Sequence, residues 1–164
     1  MCGRFTASFK FHEIKLLFNL QRDIPLLTPR YNIAPSQEVP VIIQNDGKNE
    51  LTPMKWGLVP SWAPDKSIGN QMINARAETL TEKPSFKRLV QQRRCLIPAN
   101  GFYEWRREGN RKVPVWIHLR TENRLPLRGF GTCGAIQKAK PSITFTIVPT
   151  VPDALLRPID NRIP

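Results

Sequence analysis

The stretch Val39-Pro40-Val41-Ile42-Ile43-Gln44 is rich in β-branched residues, and Asn45-Asp46-Gly47 follows it directly. β-Branched side chains fit the surface of a sheet, so this run predicts a strand. An Asp-Gly pair supplies the positive φ angles of a tight hairpin turn. A second apolar stretch covers residues 51–59. Together these features predict a β-hairpin, and they place an antiparallel sheet at the centre of the fold.

The rest of the chain adds more strands than helices. Extended segments are predicted on both sides of the hairpin, at residues 31–35, 94–98, 101–107, 113–119, 125–136 and 143–148. Apolar spacing predicts helices over residues 11–20 and after Pro84, and Thr150 resembles a helix start. We therefore expect an α+β fold: a single domain over residues 1–164 whose mainly antiparallel, barrel-like sheet carries short flanking helices.

Composition excludes several classes of protein. The chain has 164 residues, of which 40% are hydrophobic, and it has no apolar run near 18 residues. These values predict a globular protein without a membrane span, and the N-terminus lacks the pattern of a signal peptide. The three cysteines and two histidines are widely spaced, which argues against disulfides and metal sites. We expect a cytoplasmic, nucleoid-associated monomer that needs no cofactor and no metal.

The net charge of +12 is the strongest global signal in the sequence. A small cytoplasmic protein this basic commonly binds a polyanion, most often nucleic acid. A generally basic surface without a specific partner is the alternative.

Cys2 follows the initiator methionine and precedes Gly3 and Arg4. If Met1 is removed, the α-amine and the thiol of Cys2 lie on one carbon, and both have reference pKa values near 8. Such a 1,2-aminothiol can condense with an aldehyde to form a thiazolidine ring. Arg4 adds a fixed cation suited to a phosphate. Alternatively, Cys2 belongs to a mobile terminus without function.

Two polar residues stand in segments where they could support chemistry. Glu104 lies among aromatic residues in a predicted strand, where burial would raise its pKa and suit it to acid–base work. Asn74 and Arg76 project from the same side of an extended segment, where they could hold a sugar phosphate or an amine. An edge-strand glutamate and a surface Arg–Glu pair are the structural alternatives.

Three tryptophans alternate with basic residues. Bases stack on aromatic rings and cations neutralise phosphates, so this composition is typical of single-stranded nucleic-acid sites. We expect Trp56 to lie in the core and Trp62, in a proline-flanked loop, to be exposed.

Taken together, these segments resemble one family, the SOS response-associated peptidase (SRAP) family. The matching segments run in order along nearly the whole chain: MCGRF at 1–5, YNIAPSQ at 31–37, WGLVPSWA at 56–63, NARAET at 74–79, RCLIPA at 94–99, FYEW at 102–105, and PI at 158–159 with Arg162.

The resemblance implies a barrel-like sheet with a basic groove, and the covalent capture of abasic sites in single-stranded DNA. By analogy with the family, Cys2 is the nucleophile, Asn74 holds the N-terminal residue and the sugar, and Glu104 is the acid or base. The resemblance further implies DNA contacts by five residues: Arg4, Arg76, Arg162, Trp62 and Trp105.

Two departures from the family pattern affect this hypothesis. Asp160 occupies the position where the family usually carries a histidine that assists sugar-ring opening and reversal of the crosslink. An aspartate is deprotonated at neutral pH, so we expect slower capture or altered reversal. The chain also ends at Pro164, where the family normally continues, which is compatible with a truncated piece, a degenerate copy or a short variant.

Two other functions remain open. A non-covalent single-stranded DNA-binding module would keep the basic surface and lose the reaction. A thiol peptidase would need a base beside Cys2, and its activity would be limited to self-removal of Met1.

Overall fold

The computed structural model describes residues 2–21, 28–118, 125–134, 142–152, 154, 156–157, 159 and 162–164. Within these residues the chain forms nine strands and two α-helices: β1 Arg4–Ala7, α1 Phe11–Leu17, β2 Arg30–Ile33, β3 Glu38–Asn45, β4 Lys48–Trp56, α2 Pro84–Gln92, β5 Arg94–Ala99, β6 Gly101–Glu108, β7 Arg111–Ile117, β8 Leu125–Gly134 and β9 Ser142–Ile147. Two short 3₁₀ helices, Lys66–Asn70 and Ala77–Thr79, lie between β4 and α2. No helix in the described part of the chain is long and apolar enough to cross a membrane.

Five strands form a closed barrel in the order β3-β4-β9-β8-β5. The hairpin of β3 and β4 pairs along its full length, from Glu38 opposite Lys55 to Asn45 opposite Lys48. Its two turn residues, Asp46 and Gly47, both have positive φ angles (48° and 75°), as the sequence predicts. The β3–β5 pairing closes the barrel, and β4 runs parallel to β9.

The other four strands form a separate antiparallel sheet in the order β2-β1-β6-β7. β1 lies at its centre and carries the N-terminal segment of the chain. Its Arg4 is opposite Tyr103 of β6, and Phe5 is opposite Phe102. The N-terminus is therefore fixed by strand pairing on both sides of β1.

An aromatic cluster joins this sheet to the barrel. The Phe5 ring of β1 lies 5.3 Å from the Trp56 ring of β4, and Trp56 stacks on Phe145 of β9 at 6.5 Å. All three side chains are buried, and they belong to one apolar core. The prediction that Trp56 is a core residue is confirmed.

The predicted α+β fold with a barrel-like sheet is confirmed, and most predicted strands begin or end within a few residues of the observed ones. Two local predictions are wrong. The first helix ends at Leu17 rather than residue 20, because Asn19 takes a left-handed backbone conformation (φ 48°). Thr150 does not start a helix, because its backbone N–H and C=O pair with those of Ile163.

Candidate active site

Cys2 is held immediately before β1, and its side chain is fully buried. The thiol Sγ donates to the backbone carbonyl of Arg4 at 3.7 Å. The Cys2 carbonyl accepts a hydrogen bond of 2.8 Å from Asn74 Nδ2. The residue that the sequence singles out is thus built into the fold rather than left on a mobile terminus. Met1 lies outside the described residues.

Asn74 takes its position from the last strand of the barrel. It forms a parallel bridge with Ile147 of β9. The Ala75 N–H donates to the Ile147 carbonyl at 2.8 Å, and the Ile147 N–H donates to the Ile73 carbonyl at 3.1 Å. Among the described residues no donor reaches the buried Oδ1 of Asn74. Asn74 therefore presents a donor to Cys2 and keeps an acceptor available beside it.

Glu104 lies on the buried face of β6 with Phe102, and only 2% of it is exposed. Its alternation with the more exposed Tyr103 and Trp105 agrees with the strand predicted there. A carboxylate buried in this way acts strongly on nearby titrating groups, because little water screens its charge.

The pKa of the Cys2 thiol is raised from 9.0 to about 12, first by burial and second by the charge of Glu104. A backbone hydrogen bond with Arg4 stabilises the thiolate and partly opposes this rise. Burial alone raises the pKa of Cys95 to about 12 as well. Electrostatic coupling to a carboxylate therefore distinguishes Cys2 from Cys95, and the Cys2 thiol is neutral at physiological pH in this state.

The basic residues singled out by sequence differ in their surroundings. Arg4 donates to Asn32 Oδ1 at 2.8 Å, which ties the strand after Cys2 to β2. Arg76 is exposed. Arg162 forms an ion pair of 3.0 Å with Glu78 and lowers the pKa of that carboxyl. Because Ala77–Thr79 is a 3₁₀ helix, the strand alternation predicted for residues 74–78 ends at Arg76.

The tryptophans divide as the sequence predicts. Trp62 is 60% exposed in its loop, and Trp105 is 38% exposed on β6. Trp56 is buried, and its Nε1 donates to the carbonyl of Ile73 at 2.8 Å, directly before Asn74. The core tryptophan therefore helps to fix the segment that contacts Cys2.

The structure brings together three of the four predicted catalytic residues: Cys2 and Asn74 by a hydrogen bond, and Cys2 and Glu104 by charge. Asp160, the fourth, lies outside the described residues. No local pattern pointed to Ile147, because only the long-range pairing of β9 shows that it positions Asn74. Among the described residues no group of three His, Cys, Asp or Glu side chains could hold a metal ion.

Comparison with known proteins identifies the family of the chain. The family model described as SOS response associated peptidase (SRAP) matches residues 1–164. The whole chain is 42% identical to the abasic site processing protein YoqW of Bacillus subtilis and covers 75% of it. It is 32% identical to the abasic site processing protein YedK of Escherichia coli and covers 74% of that relative.

Solved structures show the same fold. A crystal structure of a protein from Bacteroides thetaiotaomicron superposes with a TM-score of 0.90 at 28% sequence identity. The match covers 99% of this chain and 75% of that one. With the family model matched from the first residue to the last, the chain belongs to the SOS response-associated peptidase (SRAP) family.

Proposed function

We propose that this protein captures abasic sites in single-stranded DNA by forming a covalent crosslink through Cys2 after Met1 is removed. Relatives that match the whole chain are named abasic site processing proteins, which supports abasic-site DNA as the substrate. The net charge of +12 supports a polyanionic partner. On this proposal the protein acts as a monomer on DNA in the cytoplasm, at the nucleoid.

The chemistry follows from the two nucleophiles on Cys2. An abasic sugar in its open form is an aldehyde. The α-amine of Cys2 adds to the aldehyde carbon, and loss of one water gives an imine. The thiol then adds to the imine carbon, its proton passes to the nitrogen, and a five-membered thiazolidine closes. One molecule of water is released and no oxidant or reductant is consumed.

The anchoring of Cys2 by Asn74, beside the buried Glu104, is the observation that carries this proposal. Removal of Met1 creates the reacting amine on the residue whose carbonyl Asn74 already holds. Glu104 would accept a proton from the ammonium form of that amine and return it when water leaves. The buried Oδ1 of Asn74 would accept a hydrogen bond from the amine or from a sugar hydroxyl.

The remaining predicted residues take roles in DNA binding. Arg4, Arg76 and Arg162 would contact phosphates, and Arg162 would do so while paired with Glu78. Trp62 and Trp105, both exposed, would stack on bases. A lyase-like step and self-removal of Met1 by the Cys2 thiol are further parts of the proposal.

A denaturing gel tests the proposal. The purified protein is mixed with single-stranded DNA that carries one abasic site, and the mass of the intact chain reports whether Met1 is present. Cys2→Ala removes the proposed nucleophile. Cys95→Ala is the matched control, because Cys95 is also buried and has a similarly raised thiol pKa.

We expect a slower-migrating band with the native chain and with Cys95→Ala, and none with Cys2→Ala. The band should survive high salt, because a covalent bond does not depend on counterions. A second candidate function, a non-covalent single-stranded DNA-binding module, is favoured by the high positive charge. No band with the native chain, together with salt-sensitive binding, would establish that module and reject covalent capture.

A further inference from the structure

The outer face of β6 and β7 carries an aromatic and basic row, and Trp105 is the only member of it that the proposed function uses. Strand register places its members on one side of the sheet: Tyr103 lies opposite Trp116, Trp105 opposite Pro114, and Arg107 opposite Lys112. The residues between them on β6, Phe102 and Glu104, face the buried side. We call this row the outer strip, and it consists of Tyr103, Trp105, Arg107, Lys112, Trp116 and His118.

One end of the outer strip is a preformed aromatic stack. The rings of Trp116 and His118 lie 4.1 Å apart with their planes inclined by 21°. Trp116 is fixed from below, because its Nε1 donates to Thr6 Oγ1 at 3.3 Å and its ring covers Gly101. A Cβ on Gly101 would lie 2.3 Å from that Nε1, so the glycine makes room for the ring. Trp116 nevertheless remains 44% exposed.

The cations of the strip are available to a partner. Arg107 and Lys112 are exposed, and neither forms an ion pair with any described residue. Arg106, the neighbour of Arg107 on β6, is by contrast paired with Glu108 of the same strand. At the other end of the strip, Arg4 lies opposite Tyr103, two residues from Cys2.

We propose that the outer strip is a second binding surface for single-stranded DNA, on which bases stack at Trp116 and His118 and phosphates contact Arg107 and Lys112. The proposal rests on the proposed function in taking single-stranded DNA as the partner. Charge complementarity favours this occupant, since an apolar protein partner would leave two unpaired cations at the interface. Exposed rings beside unpaired cations are the composition of sequence-independent single-strand sites.

The strip is long enough to matter for affinity. Lys112 and Trp116 are four positions apart on β7, which is about 13 Å along the strand. At a rise of about 3.4 Å per nucleotide, this span takes about four stacked nucleotides. The surface would therefore raise the affinity of the protein for long strands. It would hold the DNA that flanks the site where Cys2 reacts.

Binding of undamaged DNA tests the proposal without involving the crosslink. Fluorescence anisotropy measures Kd for labelled oligo-dT of about 4 and about 12 nucleotides at low salt. The variants are His118→Ala, Lys112→Gln and Trp116→Leu. His12→Ala, which removes the other histidine of the chain, an exposed side chain on α1, is the matched control. Thermal melting checks that each variant folds. If Trp116→Leu does not fold, His118→Ala and Lys112→Gln still test the proposal.

We expect His118→Ala to weaken binding of the longer strand about fivefold or more, the low end of the effect of losing one stacked base. The loss on the shorter strand should be smaller, because four nucleotides can occupy the site at Cys2 without reaching the strip, and His12→Ala should bind as the native chain does. Unchanged binding of the longer strand would overturn the proposal. Tighter binding of an RNA of the same length would reject single-stranded DNA as the occupant.

The outcome of this binding experiment is independent of the outcome of the capture assay, so each proposal can be rejected without the other. A chain that forms no crosslink but shows the length-dependent loss keeps the outer strip as a DNA surface and loses the proposed reaction. A chain that crosslinks through Cys2, yet whose strip variants bind the longer strand normally, keeps the reaction and loses the strip.

Discussion

Asn74 Nδ2 donates to the Cys2 carbonyl at 2.8 Å, across 72 positions of sequence. This bond fixes the backbone of the residue that bears both proposed nucleophiles. It also places the amide of Asn74 directly beside Cys2. The hydrogen bond is therefore the most direct point at which to test the site.

We predict that Asn74→Ala slows crosslinking about tenfold. A hydrogen bond contributes about 0.5–1.5 kcal/mol net, and the upper end of that range corresponds to a tenfold change in rate. Loss of the bond would let the N-terminal residue leave its reactive orientation. Single-turnover gels with saturating abasic-site DNA measure the rate. Asn110→Ala, at an exposed turn position, is the control, and equal rates in the two variants would rule out this role for Asn74.

Glu104→Gln should lower the pKa of Cys2 while leaving it above the ordinary value of 9.0. The charge of Glu104 is the second cause of the raised pKa, and burial, the first cause, is retained in the variant. Removing the charge makes the thiolate easier to form, so the titration midpoint moves to lower pH. Thiolate absorbance near 240 nm measures this in a Cys95→Ala, Cys133→Ala background that still carries Met1.

The second thiol provides the comparison for that titration. In a Cys2→Ala, Cys133→Ala background, Cys95 should titrate at the same pH with and without Glu104→Gln, because only burial raises its pKa. A shift of Cys95 as large as that of Cys2 would mean that the substitution loosens the core instead of removing a local charge.

Gly57→Ala should destabilise the fold by about 2 kcal/mol or more. Gly57 has a φ of 124°, and a Cβ there would lie 2.6 Å from the backbone oxygen of Gly69. Neither backbone segment can yield easily, because the Gly57 N–H also donates to the carbonyl of Phe145 in β9. Urea unfolding followed by tryptophan fluorescence measures the change.

Gly47→Ala is the matched control for that measurement. Gly47 also has a positive φ, 75°, but a Cβ there meets nothing within 4 Å. Its cost should be only the backbone strain, about 1 kcal/mol. Equal destabilisation by the two substitutions would show that the contact with Gly69 is unimportant.

We predict that Asp160→His speeds capture or alters reversal of the crosslink. Histidine exchanges protons near neutral pH, whereas an unperturbed aspartate has a pKa of about 4 and stays charged. The test compares the rates of crosslink formation and release on one oligonucleotide. Identical rates for the native chain and the variant would remove any role of this position in proton transfer.

Sequence reasoning was most accurate where a local pattern determines the structure. The Asp46-Gly47 turn fixes the register of the β3–β4 hairpin, and period-two alternation puts Glu104 on the buried face of its strand. Cys2 could be recognised because its chemistry depends on its place in the chain. Its links to Asn74 and Glu104 came from the family resemblance.

The missed features depend on contacts between distant parts of the chain. The parallel pairing of β4 with β9 joins Lys55 to Thr144, and no local pattern specifies such a partner. The bridge of Asn74 to Ile147 has the same origin. The stack of Trp116 on His118 depends on the alternation of side chains along β7 and on the space above Gly101. That space can be recognised only once β6 and β7 are paired.

The bridge between Asn74 and Ile147 sets an order of events during biosynthesis. The ribosome makes Cys2 first, yet the residue that positions its anchor belongs to the last strand of the barrel. Until β9 has been made, Asn74 lacks the strand that positions it, so the carbonyl of Cys2 lacks its anchor and the N-terminus remains more open to an aminopeptidase. Once β9 is paired, Cys2 is fully buried. Another enzyme can therefore remove Met1 most readily from the nascent chain, before folding buries Cys2, whose amine that removal frees.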